Sequence, residues 1–372
     1  MTPTHPLVSL LPSAGDYPAL LPRLLELADA TDVVRPGESV LVKPNLHALA
    51  DPATASVTDP ALVGALLDWL RARGAGEILV ADGPFYGNTE PERNFTDTGM
   101  AAVVEARGAR WGVVNAGPWR EFRNFSPHWP ETVRIFEPAF TYDRIINVAV
   151  AKTHMDCLVT LGMKNLKGLL HPENKAQFHQ LGDLDRALLV LNQVVHPDLT
   201  LVDGTLGMEG LGPHAGTVAN WGYIFAGRET MAVDAVAAPA MGAEIEGVRT
   251  LRYAVEAGLL DPARIEVRGV DPAQSYRRFE RPYEAMLREL PGVRLVAEAA
   301  CSACKLNLIR ALCEQAAAGV TLPDRCLAAG KALVEDPQAL LIGKCAGASN
   351  PGRPHLAGCP PAVERVKDYL RG

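Results

Sequence analysis

Apolar positions in this chain fall into two alternating patterns. Short runs that are apolar at nearly every position read as strands: "SVLVKPN" (39–45), "EILVADGP" (77–84) and "RIINVAVAKTH" (144–154). The last has the texture of a strand buried on both faces. Longer stretches between them carry apolar residues at helical spacing. "DPALVGALLDWLRARGA" (59–75) opens on Asp-Pro and closes near a glycine, the start and stop signals of a helix. "GMAAVVEARGA" and "LDRALLVLNQVV" are further helices, and "RWGVVNA", "DLTLVDG" (198–204) and "YIFAG" further strands. "TMAVDAVAAPAMGA" is again a helix. Such alternation predicts an α/β fold, with mostly parallel sheets and helices on both faces.

The texture changes at "DPAQSYRRFERPYEAMLRELPG" (271–292), which is polar and aromatic. A boundary is placed there. Residues 1–280 form an α/β ligand-binding region that could comprise two lobes, and residues 290–372 a small C-terminal α/β domain. The small domain is predicted as strand "VRLVAEA", a helix from Cys304 to about Ala318, strand "ALLIGK" and helix "AVERVKDYLR".

Composition narrows the function. The 372 residues are 48% hydrophobic, with a net charge of −7 and no basic run, so nucleic acid is not an expected partner. No apolar window is long enough to span a bilayer, and the N-terminus does not read as a signal peptide. The expected location is cytoplasmic.

Six of the seven cysteines lie beyond residue 300, which in a cytosolic protein points to a metal. Cys301 and Cys304 follow a strand and open a helix, Cys345 follows the next strand, and Cys359 in "GCPP" opens the last helix. In a parallel unit these points share one edge. Gly343, Gly347 and Gly358 allow close backbone approach there, and Pro360 and Pro361 suit the first turn of a helix. Four thiolates are the ligand set of a [4Fe–4S] cluster or a structural zinc. A single close pair with two separate cysteines favours the cluster, since zinc sites usually pair two short spacings. Cys313 and Cys326 read as core cysteines.

In residues 1–280 the polar residues gather where strands end. These are Lys43, Asn45 and His47 in "VKPNLH", Asp82 in "ADGP", and Lys152 with His154 in "VAVAKTH". "LGMKNLKGLLH" adds Lys164, Asn165, Lys167 and His171; "FHQ" adds His179; "VDGTLGMEGLGPHAG" adds Asp203, Glu209 and His214. Open parallel sheets bind ligands outside the carboxyl ends of their strands. Lysines with nearby carboxylates suit an anionic small-molecule substrate. A desolvated lysine can act as base or nucleophile, and a histidine beside it can carry a proton. Lys152, His154, Lys43 and Lys164 are the expected catalytic residues, and the others named, His214 apart, the expected substrate contacts. Asp234, inside an apolar helix, is either a satisfied buried carboxylate or a partner behind the site.

The run "VKPN…DG…AKTH…MKNLKG…VDG…MEGLGP…AVDAVAA" resembles the domain-of-unknown-function family 362 over roughly residues 38–245. Members of that family are often found with iron–sulfur domains of the C-x₂-C-x₂-C-x₃-C kind. This chain instead has C-x₂-C, G-x-C and GCPP, which resembles the proximal-cluster domain of nickel–iron hydrogenase small subunits and the related complex I subunit. The cleft lysines and histidines are also similar in style to the nickel-dependent lactate racemase group. The reading that follows is a redox enzyme in which a [4Fe–4S] cluster passes single electrons to an anionic substrate. A lyase or isomerase using a metal as Lewis acid, and an electron carrier or assembly protein, stay open. So does a flavin or a second metal in the cleft. Electron transfer calls for a redox partner protein or a homodimer that brings a second centre near.

Overall fold

The computed structural model describes residues 5–371 apart from 49, 85–87, 182, 214–215, 291, 298–299 and 301. The chain begins with β1 (Leu7–Pro12), β2 (Val40–Lys43), β3 (Ile78–Asp82) and β4 (Arg110–Val113). A hairpin follows, β5 (Trp119–Arg123) and β6 (Thr132–Phe136). Next come β7 (Arg144–His154), β8 (Leu158–Thr160), β9 (Leu199–Glu209), β10 (Thr217–Ala219), β11 (Tyr223–Gly227) and β12 (Glu266–Gly269). The last four are β13 (Arg294–Val296), β14 (Cys326–Ala329), β15 (Leu340–Ile342) and β16 (His355–Leu356).

The large sheet runs β12-β1-β11-β9-β7-β2-β3-β4, with β10 beside β9 and β8 beside β7. Along that run β11 is antiparallel to both neighbours, and the other pairs are parallel. Helices cover both faces, as the alternating pattern predicts. Strand side chains alternate between faces. Val40, Val42, Ile78 and Val80 therefore pack with Leu62, Leu66 and Leu70 of the helix Pro60–Ala72. Leu41, Leu79 and Ala81 pack on the opposite side with Leu188 and Leu191 of the helix Leu184–Val194. Asp59 starts the first of these helices by accepting a hydrogen bond from Ala61 N, with Pro60 in its first turn. Each fully buried leucine of this kind contributes about 1.5–3 kcal/mol. In β7 every residue from Ile145 to His154 is buried, which places the strand at the centre of the protein.

The small sheet, β13-β14-β15-β16, is parallel throughout. Leu295, Leu327 and Ile342 pack with Leu308 and Leu312 of the helix Ser302–Ala317 and with Val366 and Leu370 of the helix Val363–Leu370. Cys326 is buried at the start of β14. Pro360 and Pro361 precede the last helix and lie outside its first turn; Ala362 caps that helix and Val363 begins it. Among the described residues no helix is long and apolar enough to cross a membrane.

Candidate active site

Three neighbouring strands bring their polar ends to one place. β2 ends at Lys43 and β3 at Asp82, and β7 runs on past them to Lys152, Thr153 and His154. The Lys43 ammonium has no exposed surface and donates to Asp82 Oδ1 (2.7 Å), Pro44 O (2.9 Å) and Asn165 Oδ1 (3.3 Å). Asp82 Oδ2 accepts from Leu46 N (2.5 Å). Burial lowers the Lys43 pKa and the Asp82 carboxylate pulls it back up. A buried charge with three good acceptors and a counter-charge is satisfied, so this pair organises the site.

The "MKNLKG" segment enters from the side as a short helix, Gly162–Asn165, and a further turn, Leu166–Leu169. Asp234 holds its start: the two carboxylate oxygens accept from Gly162 N and Met163 N, each at 2.8 Å. Burial pushes the Asp234 pKa up to about 7. The structure gives Asp234 both of the roles open to it: a buried carboxylate satisfied by two backbone donors, and support for the segment that carries Lys164, Asn165 and Lys167. Gly168 is required here, because a Cβ on it would lie 2.1 Å from Asp82 Oδ1 and 2.6 Å from Lys43 Nζ.

Lys152 also has no exposed surface, yet among the described residues it hydrogen-bonds no carboxylate. Its Nζ donates to Ser56 O (2.7 Å) and Asn45 Oδ1 (3.1 Å) and lies 3.4 Å from His47 Nδ1. Burial, and then the positive charge of Lys164, hold its pKa well below the usual lysine value. Lys167 is also held well below that value by burial and by Lys164 and Lys175, and its Nζ lies 2.5 Å from His179 Nε2. Lys175, on the helix Pro172–Gln180, donates to Pro84 O (3.1 Å), and burial brings its pKa down to about 7. Burial lowers Lys164 too. His154 Nδ1 accepts from Asp156 N (3.1 Å) and Cys157 N (3.2 Å), which leaves its ring proton on Nε2.

These side chains surround one cavity of about 600 Å³. Lys43, Asn45, His47, Asp82, Lys152, His154, Lys164, Asn165, Lys167, Lys175 and His179 line it. Leu211, Gly212 and Pro213 close one side. The helix Ser302–Ala317 closes another with Asn307, Ile309, Arg310, Cys313 and Glu314. Two of these lining residues are carboxylates. Asp82 is committed to Lys43, and Glu314 to Arg310 and Lys367. The size matches small-molecule sites, which run roughly 300–1,000 Å³.

Residues 40–239, more than half the chain, match the model of the Domain of unknown function (DUF362). The chain belongs to the DUF362 family. A thylakoid-associated protein of Synechocystis sp. is 30% identical over 245 residues, covering 62% of this chain and 72% of its own. Among solved structures, the lactate racemase apoprotein from Thermoanaerobacterium thermosaccharolyticum aligns with a TM-score of 0.41 and 12% identity. That match covers 61% of this chain, which spans about half of the solved one, 54%. The DUF362 match takes in all the strand-end residues of the cleft and stops short of the helix Ser302–Ala317 that closes it.

Three residues expected in the cleft lie elsewhere. Asp203 falls within β9, which continues to Glu209 instead of ending near residue 204. Its side chain faces the helix Tyr17–Leu27, accepting from Tyr17 Oη (2.9 Å) and Thr205 N (2.9 Å), and burial raises its pKa. Glu209 accepts from Arg277 (2.7 Å) and Glu280 N (2.9 Å), tying β9 to the segment leading to the small sheet. His171 caps the helix Pro172–Gln180 through Glu173 N and sits edge-on to Trp119. His214 lies outside the described residues. Lys175 and the lining residues of the helix Ser302–Ala317 were not anticipated in the cleft. Lys175 precedes His179 by four positions on one helix, a same-face spacing that flags it. Cys313, expected in the core, lines the cavity while packing partly against the core of the small sheet.

The expected metal ligands lie beyond the DUF362 match. Cys301 is outside the described residues; Cys304 is buried, Cys345 half-buried and Cys359 exposed. Among the described residues no group of three or more His, Cys, Asp or Glu side chains stands ready to hold a metal ion. The loops that carry the cysteines nevertheless meet. Lys344 N donates to Gly358 O and Gly343 N to Leu356 O, each at 2.8 Å. A Cβ on Gly343, whose φ is +95°, would lie 3.2 Å from Cys304 Sγ. Asn307, which lines the cleft, donates to Pro361 O (2.9 Å), two residues past Cys359.

Proposed function

We propose that the cleft is the active site of an enzyme acting on an anionic small molecule, with a [4Fe–4S] cluster on Cys301, Cys304, Cys345 and Cys359. The observation that carries the anionic substrate is the charge inventory of the cavity. Four amines, those of Lys152, Lys164, Lys167 and Lys175, face it while both lining carboxylates are committed to other cations. Lysines held this far below their usual pKa are short of negative charge, and an anion arriving among them would restore their protonation. Charge-assisted hydrogen bonds in a cavity of low dielectric then bind it tightly.

The cysteine loops fit a cluster in donor chemistry and in the close approach that Gly343 permits at Cys304 Sγ. Such a group supplies single electrons when bound. The chain's own residues do the rest. Lys164, Lys167 and Lys175 hold the anion, Lys152 and His154 move protons, and the helix Ser302–Ala317 keeps water out while linking the cysteine edge to the cavity wall. The test is anaerobic purification with iron and sulfide quantified, followed by EPR. About four irons per chain and a reversible one-electron signal support the reading. A chain with zinc in place of iron, or with neither, removes its redox half.

A further inference from the structure

The amide groups around Lys152 specify its protonation state through their orientation. Asn147 Nδ2 donates to Gly162 O (3.0 Å), so Asn147 Oδ1 is an acceptor and takes Asn165 Nδ2 (2.8 Å). Asn165 Oδ1 therefore faces the other way and accepts from Lys43 Nζ and from Asn45 Nδ2 (3.0 Å). That turns Asn45 Oδ1 toward Lys152 Nζ and His47 Nδ1 (2.9 Å). The His47 contact is then a hydrogen bond donated by its ring, which fixes the proton on Nδ1.

Lys152 Nζ thus has two acceptors, Ser56 O and Asn45 Oδ1, and a third neighbour that is an N–H. An ammonium has three protons to place, whereas a neutral amine has two and a lone pair. The surroundings match the amine. Lys43, joined to Lys152 through Asn165 and Asn45, shows the opposite arrangement: three acceptors, one of them a carboxylate. Burial and the positive charge of Lys164 act in the same direction on Lys152 and outweigh the opposing pull of the Asp82 carboxylate.

We propose that Lys152 is held as a free amine and forms an imine with the carbonyl carbon of an anionic aldehyde or ketone, whose anionic group binds Lys164, Lys167 and Lys175. The Nζ lone pair forms the C–N bond as the C=O π pair moves to oxygen, and that oxygen takes a proton. The resulting carbinolamine loses hydroxide and an N–H proton as one water, leaving C=N, with no oxidant or reductant consumed. His154, two positions along β7 and carrying its proton on Nε2, is placed to protonate the departing oxygen.

The inference rests on the anionic-cleft reading, and one experiment separates the two. The full-length protein is treated with pyridoxal phosphate, or with pyridoxal as the uncharged control, then with borohydride, and the modified lysines are mapped by mass spectrometry. The proposal predicts a reduced adduct on Lys152 and not on the surface lysines. It should form about tenfold or more faster with the phosphorylated aldehyde and be suppressed by pyrophosphate. Lys152→Arg, which keeps the donors but cannot form the adduct, loses that label alone. Label on other lysines with Lys152 unmodified overturns the imine. Label on Lys152 at equal rates from both aldehydes, without competition by pyrophosphate, keeps the imine and overturns the anionic cleft.

Discussion

The lysine cleft and the cysteine edge are organised by different means. In the cleft, side chains position side chains: Asp82 holds Lys43, Lys43 and Asn45 hold Asn165, and Asn45 holds Lys152 and His47. The network stands on three adjacent strands of one sheet and is complete without a ligand. At the cysteine edge the backbone does the positioning. Two main-chain hydrogen bonds join the loops, and a glycine stands where any side chain would press on Cys304 Sγ. The loops there are brought together, but among the described residues no set of ligands is gathered. A polar network of the first kind binds by charge on arrival, whereas a set of thiols becomes a site when a soft metal centre bridges them.

The sharpest way to break the comparison is at the cysteine edge. Cys304→Ser should abolish the brown chromophore and most of the bound iron of anaerobically purified protein while far-UV CD is unchanged. Full iron content in that variant removes Cys304 from the ligand set. In the cleft the largest effect belongs to the buried pair. Lys43→Met leaves Asp82 buried without its counter-charge and should cost about 3–5 kcal/mol in urea unfolding. A cost below about 1 kcal/mol would place that pair in the class of exposed ion pairs.

A smaller effect is expected from lysines outside that ion pair. Lys164→Met with Lys167→Met should weaken pyrophosphate binding about ten- to a hundredfold, or about 1.4–2.8 kcal/mol, with unfolding nearly unchanged. Unchanged affinity would move the anion elsewhere. The smallest effect is a slope. The Lys175 pKa is lowered to about 7 in the folded protein, so between about pH 7 and 10 the unfolded chain binds more protons than the folded one. Stability should therefore rise with pH across that window, and Lys175→Met should flatten the rise. Asp234, raised to about 7, opposes this only at lower pH, where stability falls as pH rises toward 7. A wild-type slope that the Lys175 variant leaves unchanged would contradict the assignment.

The same contrast explains what the sequence disclosed. Apolar runs mark β2, β3, β7 and β11, because central strands of a sheet covered by helices are buried on both faces. The strands that the sequence reading misses, β1, the β5–β6 hairpin, β8, β10, β12, β14 and β16, include short and peripheral elements whose pattern is weaker. Lys43, Asp82, Lys152 and His154 were legible because they directly end such runs. Asp203 was misplaced for the same reason: "LVDG" has the look of a strand end, but β9 continues for six more residues and turns that carboxylate toward Tyr17. Lys175 stayed hidden in "PENKAQFHQ", a polar helix whose apolar pattern marks no inner face. Cys313 was hidden because a cavity between two regions cannot be inferred from either region alone.

The central claim, that the cleft takes an anion on lysines whose charge its lining carboxylates do not balance, is tested most directly by calorimetric titration with pyrophosphate in two buffers of different ionisation enthalpy. The account predicts binding by the wild-type protein with net proton uptake, and loss of both in the Lys164→Met, Lys167→Met, Lys175→Met variant. Binding without proton uptake, or equal binding by the variant, would contradict it.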